Sequence, residues 1–411
     1  MTTTTTTINA GPGPRPGTMR PDHSAISAPA DLAGLIARVA TVAEAHVVRT
    51  DRDATFPAEA LVELRRTGLL GLLVPVAYGG LGGSTDDMVR VGLALGRVDM
   101  SVAMIFTMHC QQVAALVRYA GDRLREEVLP EIAAGRLYLA SVTTEAGKGG
   151  HLLSSESVLT ARGDDLLLDR FAPIVTGGEY ADGFLVTTRS PAAASPNQVS
   201  LVYAHRDQLT VERSGDWQPL GMRASHSVAL RLTGSVPGHQ VVGDHGSFRT
   251  IVTTVFGPVA HMGWSACWLG TAAGALSRVV KMLRGPETRG RFDLGSELLL
   301  TRISTARRRL DAVHALLERT QRVVENAEDL SLPRIQLLLN GLKITAAEEC
   351  YRAVDGLVDA VGMRHGYLKD SPTRLEQALR DLRSAALNYS NDRLHLVDGN
   401  LALLDAEVRF D

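Results

Sequence analysis

The sequence predicts a mostly helical α+β protein with an N-terminal helical domain, a central antiparallel β-barrel domain and a C-terminal four-helix bundle. Three observations carry this. Apolar residues recur at three- and four-residue steps between 31 and 139, as in "LAGLIARVATVAEAHVV" and "MVRVGLALGRVD", with turn material such as "YGGLGG" between the runs. From 140 to 246 the pattern changes to short alternating or β-branched runs, among them "DLLLDR", "GFLVTTR", "VSLVYAH" and "VALRLTG", punctuated by Gly, Pro and Asn. From 247 to 411 helical periodicity returns in long amphipathic segments such as "SELLLTRISTARRRLDAVHALLERTQRVVENAE" and "PRIQLLLNGLKITAAEECYRAVDGLVDAV", the pattern of an antiparallel bundle.

Residues 1–30 are Thr-, Pro- and Gly-rich without a long apolar run, and read as a disordered tail rather than a secretory signal or anchor. At 411 residues and 45% hydrophobic content, the rest is long enough to fill a large core. A net charge of -2, from 43 basic and 45 acidic residues mixed along the chain, leaves no footprint for nucleic acid or an anionic membrane. Cys110, Cys267 and Cys350 lie far apart with no CxxC spacing, so neither a disulfide framework nor a metal site is expected, and a reduced, cytoplasmic setting fits.

Four stretches in order carry a family likeness: "FPAEALVELRRTGLLGLLVPVAYGGLGGSTDD", "YAGDRLREEVLPEIAAGRLYLASVTTE", "VTGGEYADGFLV" and "WQPLGMRASHSVALRLTGSVP". With them the sequence resembles the acyl-CoA dehydrogenase family over nearly everything after residue 31. The resemblance implies FAD, with FMN the less favoured cofactor, and a flavin ring lying between the β domain and the bundle. It places Thr144, its neighbour Thr143, and Thr176 at the flavin's polar edge, where a short hydroxyl on a rigid strand can donate to or accept from the ring. The ordinary alternative is that these are plain strand threonines.

Two further cofactor elements are altered. The family's "RxQFG", whose arginine reaches the diphosphate, is approximated by "RGRF", which keeps Arg289 and Phe292 but has Arg291 and Asp293 in place of Gln and Gly. A planar guanidinium suits two phosphate oxygens; a solvated loop charge is the competing reading. The loop written QxxGGxGY appears as "DAVGMRHGY", which retains Gly366 and Tyr367.

Dehydrogenases of this family abstract an α-proton with a glutamate while the β-hydride passes to the flavin. In most members that glutamate lies in "YEGT" after "RDxR". Here "RDLR" spans 380–383, and gapless continuation puts Asn388 and Tyr389 in the place of Tyr and Glu. The alternative position used by other members, about two turns before a Gly-Pro, is occupied by Arg249, Thr250 and Ile251. An ordinary phenol titrates near about 10, so Tyr389 reads as a hydrogen-bond donor rather than a base. Ser390 and His109, the latter in "FTMHCQQ", complete the catalytic candidates, with a satisfied core histidine the alternative for His109.

The family's "TEPxAGSD" is replaced by "TEAGKGGHLLSSES", so Lys148 and His151, together with Arg223, are expected at the substrate pocket, or in a solvated loop. The aromatic residue that shields one flavin face aligns with Ile174. Ser225, His226 and Ser227 lack a GxSxG turn and do not read as a hydrolytic triad.

The expectation is therefore a flavin-dependent oxidoreductase of specialised metabolism acting on an acyl-CoA or a carrier-protein-bound acyl substrate. Oxidation or oxygenation without the usual glutamate is favoured, including decarboxylative desaturation or epoxyketone formation, with O2 and a flavin reductase as partners of the oxygenase form. Ordinary α,β-dehydrogenation and a non-catalytic binding module are the alternatives. The resemblance also implies a homodimer or homotetramer.

Overall fold

The computed structural model describes residues 31–147, 152–405 and 407–408. Five helices come first: α1 (Leu32–Asp53), α2 (Ala58–Arg66), α3 (Thr85–Gly96), α4 (Met100–Tyr119) and α5 (Asp122–Ala133). Local chemistry sets where they begin. The Asp31 carboxylate accepts the Gly34 N–H at 3.1 Å, Ser84 and Asp87 form a reciprocal capping box, and Asp99 accepts from Ser101 and Val102. Helix α4 is long and apolar enough to cross a membrane, but 83% of its most apolar window is buried within the protein. It is a core helix, enclosed by α3, a later helix and the first strand.

Eight strands follow: β1 (Leu139–Val142), β2 (Thr160–Arg162), β3 (Asp165–Ala172), β4 (Gly183–Arg189), β5 (Val199–His205), β6 (Leu209–Ser214), β7 (Ala229–Pro237) and β8 (Val241–Val242). They do not close into the expected barrel. They form two open four-stranded sheets, ordered β1-β4-β5-β8 and β2-β3-β7-β6. Nor is the pairing wholly antiparallel, since β1 runs parallel to β4 with Leu139 opposite Gly183. Strands β4 and β5 are buried on both faces, whereas β3 alternates, with Leu166, Leu168, Arg170 and Ala172 inward. The first sheet has its central strands β4 and β5 covered on both faces, so it hides its apolar residues without curling on itself.

The chain then returns to helix with α6 (Phe248–Ile251), a π-helical turn at Val252–Phe256, α7 (Gly257–Leu283), α8 (Glu297–Asn326) and α9 (Pro333–Gly362). After a second π turn at Met363–Tyr367 come α10 (Leu375–Arg383) and α11 (Asn391–Ala402), both packed on α9. One continuous apolar core runs through all three regions, from Leu32 to Ala385.

A close seam lies between α3 and α7, where glycines let two backbones meet. A Cβ on Gly270 would lie 2.2 Å from the Leu93 carbonyl oxygen, one on Gly274 2.3 Å from that of Arg97, and one on Gly96 2.5 Å from that of Cys267. Gly270→Ala is therefore expected to destabilise the protein by about 1–3 kcal/mol through overpacking. Gly356→Ala on α9, where nothing lies within 4 Å, should be neutral or stabilising by about 0.5–1 kcal/mol. Denaturant midpoints of the two variants test the contrast.

Candidate active site

A cavity of about 390 Å3 opens where the three regions meet. One wall is a face of α4, with Met104, Met108 and Gln111 spaced to point the same way. Trp264 of α7 and Phe256 of the π turn extend that wall, and the Gln111 amide donates to the Phe256 carbonyl at 2.9 Å, tying α4 to the π turn. The loop 217–222 and the segment 384–389 close the opposite side, with Trp217, Leu220, Leu387, Asn388 and Tyr389.

The β region contributes the polar end. Ser141, Thr143, Thr144, Thr176, Ser225 and Ser227 line the cavity together. The Thr144 hydroxyl donates to the Ile174 carbonyl at 2.8 Å, the Thr176 and Ser227 hydroxyls meet at 3.0 Å, and Ser225 reaches Ser227 at 2.8 Å. Thr143 has no hydrogen-bond partner among the described residues. Beneath them Arg170, only 1% exposed, donates to the Thr144 and Thr187 carbonyls and pairs with Glu145 at 2.9 Å. This buried pair fixes the strand end that presents the threonines; Glu145 in turn receives the Ser155 hydroxyl and the Ser157 N–H.

Of the residues singled out in the sequence, Thr143, Thr144, Thr176, Ser225, Ser227, Asn388 and Tyr389 are brought to this cavity with Arg380 and Arg383 of "RDLR", and Ile174 leaves its stretch of wall aliphatic. The others are placed elsewhere. His109 is fully buried outside the lining: its Nε2–H donates to the Leu70 carbonyl at 2.8 Å while Nδ1 accepts the Leu139 N–H at 3.0 Å. Burial pushes its pKa down to about 4, so it is a neutral strut between α4 and β1. Ser390 lies one residue beyond the lining, at the start of α11. Arg223 is also outside it, spending its guanidinium on the carbonyls of Asp51, Arg52 and Pro219.

Arg289, Phe292 and Gly366 are likewise not in the cavity. Arg289 is exposed after α7, and Phe292 packs 5.8 Å from His365 in the π turn that contains Gly366. Lys148 and His151 lie outside the described residues.

The "RDLR" segment has structural work that its motif reading did not show. Arg380 pairs with Asp51 of α1 at 2.7 Å and with Glu376 at 2.7 Å, and donates to the Leu220 carbonyl. Asp381, fully buried, accepts the Met222 N–H at 2.6 Å. Gly221 passes so close that a Cβ there would lie 2.0 Å from the Arg380 carbonyl oxygen. A lysine the sequence reading passed over, Lys343, holds the next stretch from inside; its position in phase with Leu339, Ala346 and Cys350 on the buried stripe of α9 is the signal that marks it.

Hydroxyls at one end and apolar and aromatic walls at the other fit a flavin ring. Such a fold and site define a flavoprotein oxidoreductase. Residues 34–136 match the acyl-CoA dehydrogenase N-terminal domain and residues 259–387 the acyl-CoA dehydrogenase C-terminal domain. The chain belongs to the acyl-CoA dehydrogenase family, whose cofactor is FAD.

A probable acyl-CoA dehydrogenase of Mycobacterium leprae is 24% identical over 367 residues, covering 87% of this chain and 90% of the relative. Among solved structures, dibenzothiophene monooxygenase from Paenibacillus sp. A11-2 superposes with a TM-score of 0.80 at 19% identity, covering 92% of this chain and 98% of that one. That enzyme has also been solved with FMN bound. The prolyl acyl carrier protein oxidase AnaB superposes with a TM-score of 0.74 at 18% identity, covering 91% and 99%.

Burial, and then the nearby Asp51 charge, push Asp381 up to about 8. A carboxyl raised in the folded state binds more protons there than when unfolded, so the stability it contributes is complete in acid and is lost as pH rises toward 8. Asp381→Asn keeps an oxygen for the Met222 N–H without a charge. Its melting temperature relative to the parent protein should therefore rise between pH 4 and about 8; a difference that is flat with pH contradicts the assignment.

Proposed function

We propose that this protein is a flavin-dependent oxidoreductase acting on an acyl thioester of CoA or a carrier protein by a reaction that uses no carboxylate base. One observation carries the reading: among the described residues that line the cavity none is Asp or Glu, and Asn388 and Tyr389 stand there. Burial raises the Tyr389 pKa above its ordinary value, so its phenol stays protonated at neutral pH and donates. When bound, the flavin supplies a two-electron acceptor, or in reduced form a site of reaction with O2.

The chain's own residues suit a substrate that makes its own carbanion. A β-keto acid does so when its C–CO2 bond breaks and the electron pair stays on the α-carbon, which leaves an enolate oxygen in need of donors. The Tyr389 hydroxyl and the Asn388 amide, which have no partner among the described residues, fit that oxygen. The apolar walls from Met104, Met108 and Trp264 exclude water and receive the acyl chain. Oxygenation is the second reading, supported by the likeness to dibenzothiophene monooxygenase; in that form O2 and a flavin reductase are the partners. The likeness to a carrier-protein oxidase supports specialised metabolism as the setting.

Purified protein is expected to carry or take up FAD, seen as absorbance between about 350 and 480 nm; protein that binds no flavin is a binding module and not an enzyme. Mixed with candidate substrates in the absence of oxygen, flavin-loaded protein should bleach slowly or not at all with saturated acyl-CoA and readily with a β-keto acid, whose free carboxylate can leave as CO2. Turnover that demands O2 and a reductase identifies the oxygenase. Tyr389→Glu should gain bleaching with saturated acyl-CoA, because it restores a carboxylate to the wall; no gain assigns the block to the shape of the cavity.

A further inference from the structure

The segment that replaces the family's catalytic stretch is held from behind by one residue. Lys343 is completely buried in α9, and its Nζ donates to the Ala385 carbonyl at 3.1 Å, the Tyr389 carbonyl at 3.0 Å and the Asn391 Oδ1 at 2.7 Å. An ammonium has three donors, and here all three go to a span of seven residues. Its charge also faces the Trp268 ring, 5.6 Å from the centroid. A buried ammonium is kept only where its bonds offset its desolvation, and every one of these bonds serves the path from 385 to 391.

That path is strained at one point. Tyr389 has φ of 48°, the left-handed region that a bulky aromatic residue avoids. Such a conformation persists where neighbours over-determine it, and the Tyr389 carbonyl is one of the three acceptors on Lys343. We propose that Lys343, which does not touch the cavity, is the positioning residue for Tyr389: its three hydrogen bonds hold residues 385–391 in the backbone path that sets the phenol in the cavity wall. The proposal deepens the reading of Tyr389 as the cavity's donor and rests on it.

The surroundings make the clamp responsive to pH. From α7, His261 faces the cluster with its ring 6.3 Å from that of Tyr389; burial and then Lys343 hold its pKa at about 3, so it is neutral. From α9, Glu348 favours the charged lysine against the burial that brings Lys343 down to about 7. From α11, Asn391 is the third acceptor, His395 lies 4.0 Å from Glu348, and Arg393 acts on the Tyr389 phenol. Loss of one proton leaves Lys343 with two donors for three acceptors.

The test uses the full chain without flavin or substrate, so it stands or fails separately from the assignment of the reaction. 4-Fluorophenylalanine, which does not titrate, is placed at position 389 and followed by 19F NMR. In the parent protein a single resonance displaced from that of the free amino acid is expected, with a step in its shift centred near pH 7. Lys343→Met, which keeps the packing volume, should lose the single resonance and the step, and Lys343→Arg should recover a single resonance. A folded Lys343→Met protein with the parent's resonance and pH profile overturns the proposal. Should that variant fail to fold, the parent decides alone: a resonance at the free position, or more than one resonance, overturns it equally.

Discussion

Everything at this site depends on the junction made by Arg380 and Asp381. Two consecutive side chains at the end of one short helix tie together three segments far apart in sequence: α1 through Asp51, the 219–222 loop through the Leu220 carbonyl and the Met222 N–H, and α10 itself through Glu376. Arg380 is suited to this because its planar fork serves two carboxylates and a carbonyl at once. Asp381 is buried, and its hydrogen bond to a backbone N–H offsets part of the cost of enclosing it. With that junction closed, the loop carrying Trp217 and Leu220 is held beside the segment carrying Asn388 and Tyr389, and both line the cavity.

The cavity so formed is apolar on one side and rich in hydroxyls on the other, and its supports are more polar than its surface. Behind the threonines lies the Arg170–Glu145 pair, and behind Tyr389 lies Lys343. Both cations are almost wholly enclosed, and both spend their donors on backbone carbonyls of the segment that lines the cavity. Rigid strand ends and a fixed loop are what a site needs when it works by oriented donors rather than by a mobile base.

The order of helices, strands and helices was legible in the sequence because periodicity reports directly which face of each element is buried. The approach of the threonines and of Asn388 and Tyr389 to one cavity was legible too, since the family's spacing brings those segments together. The barrel was not: alternation within a strand says which face is covered but not which strand is its neighbour, and two open sheets with a parallel β1–β4 pair satisfy the same pattern. His109 was half legible. Its place on an apolar run was plain, but whether it faced a cavity or the Leu70 carbonyl depended on a residue 39 positions away.

By itself, then, the sequence determined the family, the element order and the presence of Asn388, Tyr389 and Ser390 where the family's spacing expects a glutamate, all of which follow from residue type and local spacing. Tertiary structure alone decided which charges are enclosed and what they hold. Arg170 and Lys343 each sit in phase with an apolar stripe, which marks them as unusual, but the carbonyls that make their burial tolerable come from other strands and loops. A buried charge is permitted by partners that converge only in three dimensions, and no local pattern of residues encodes that convergence.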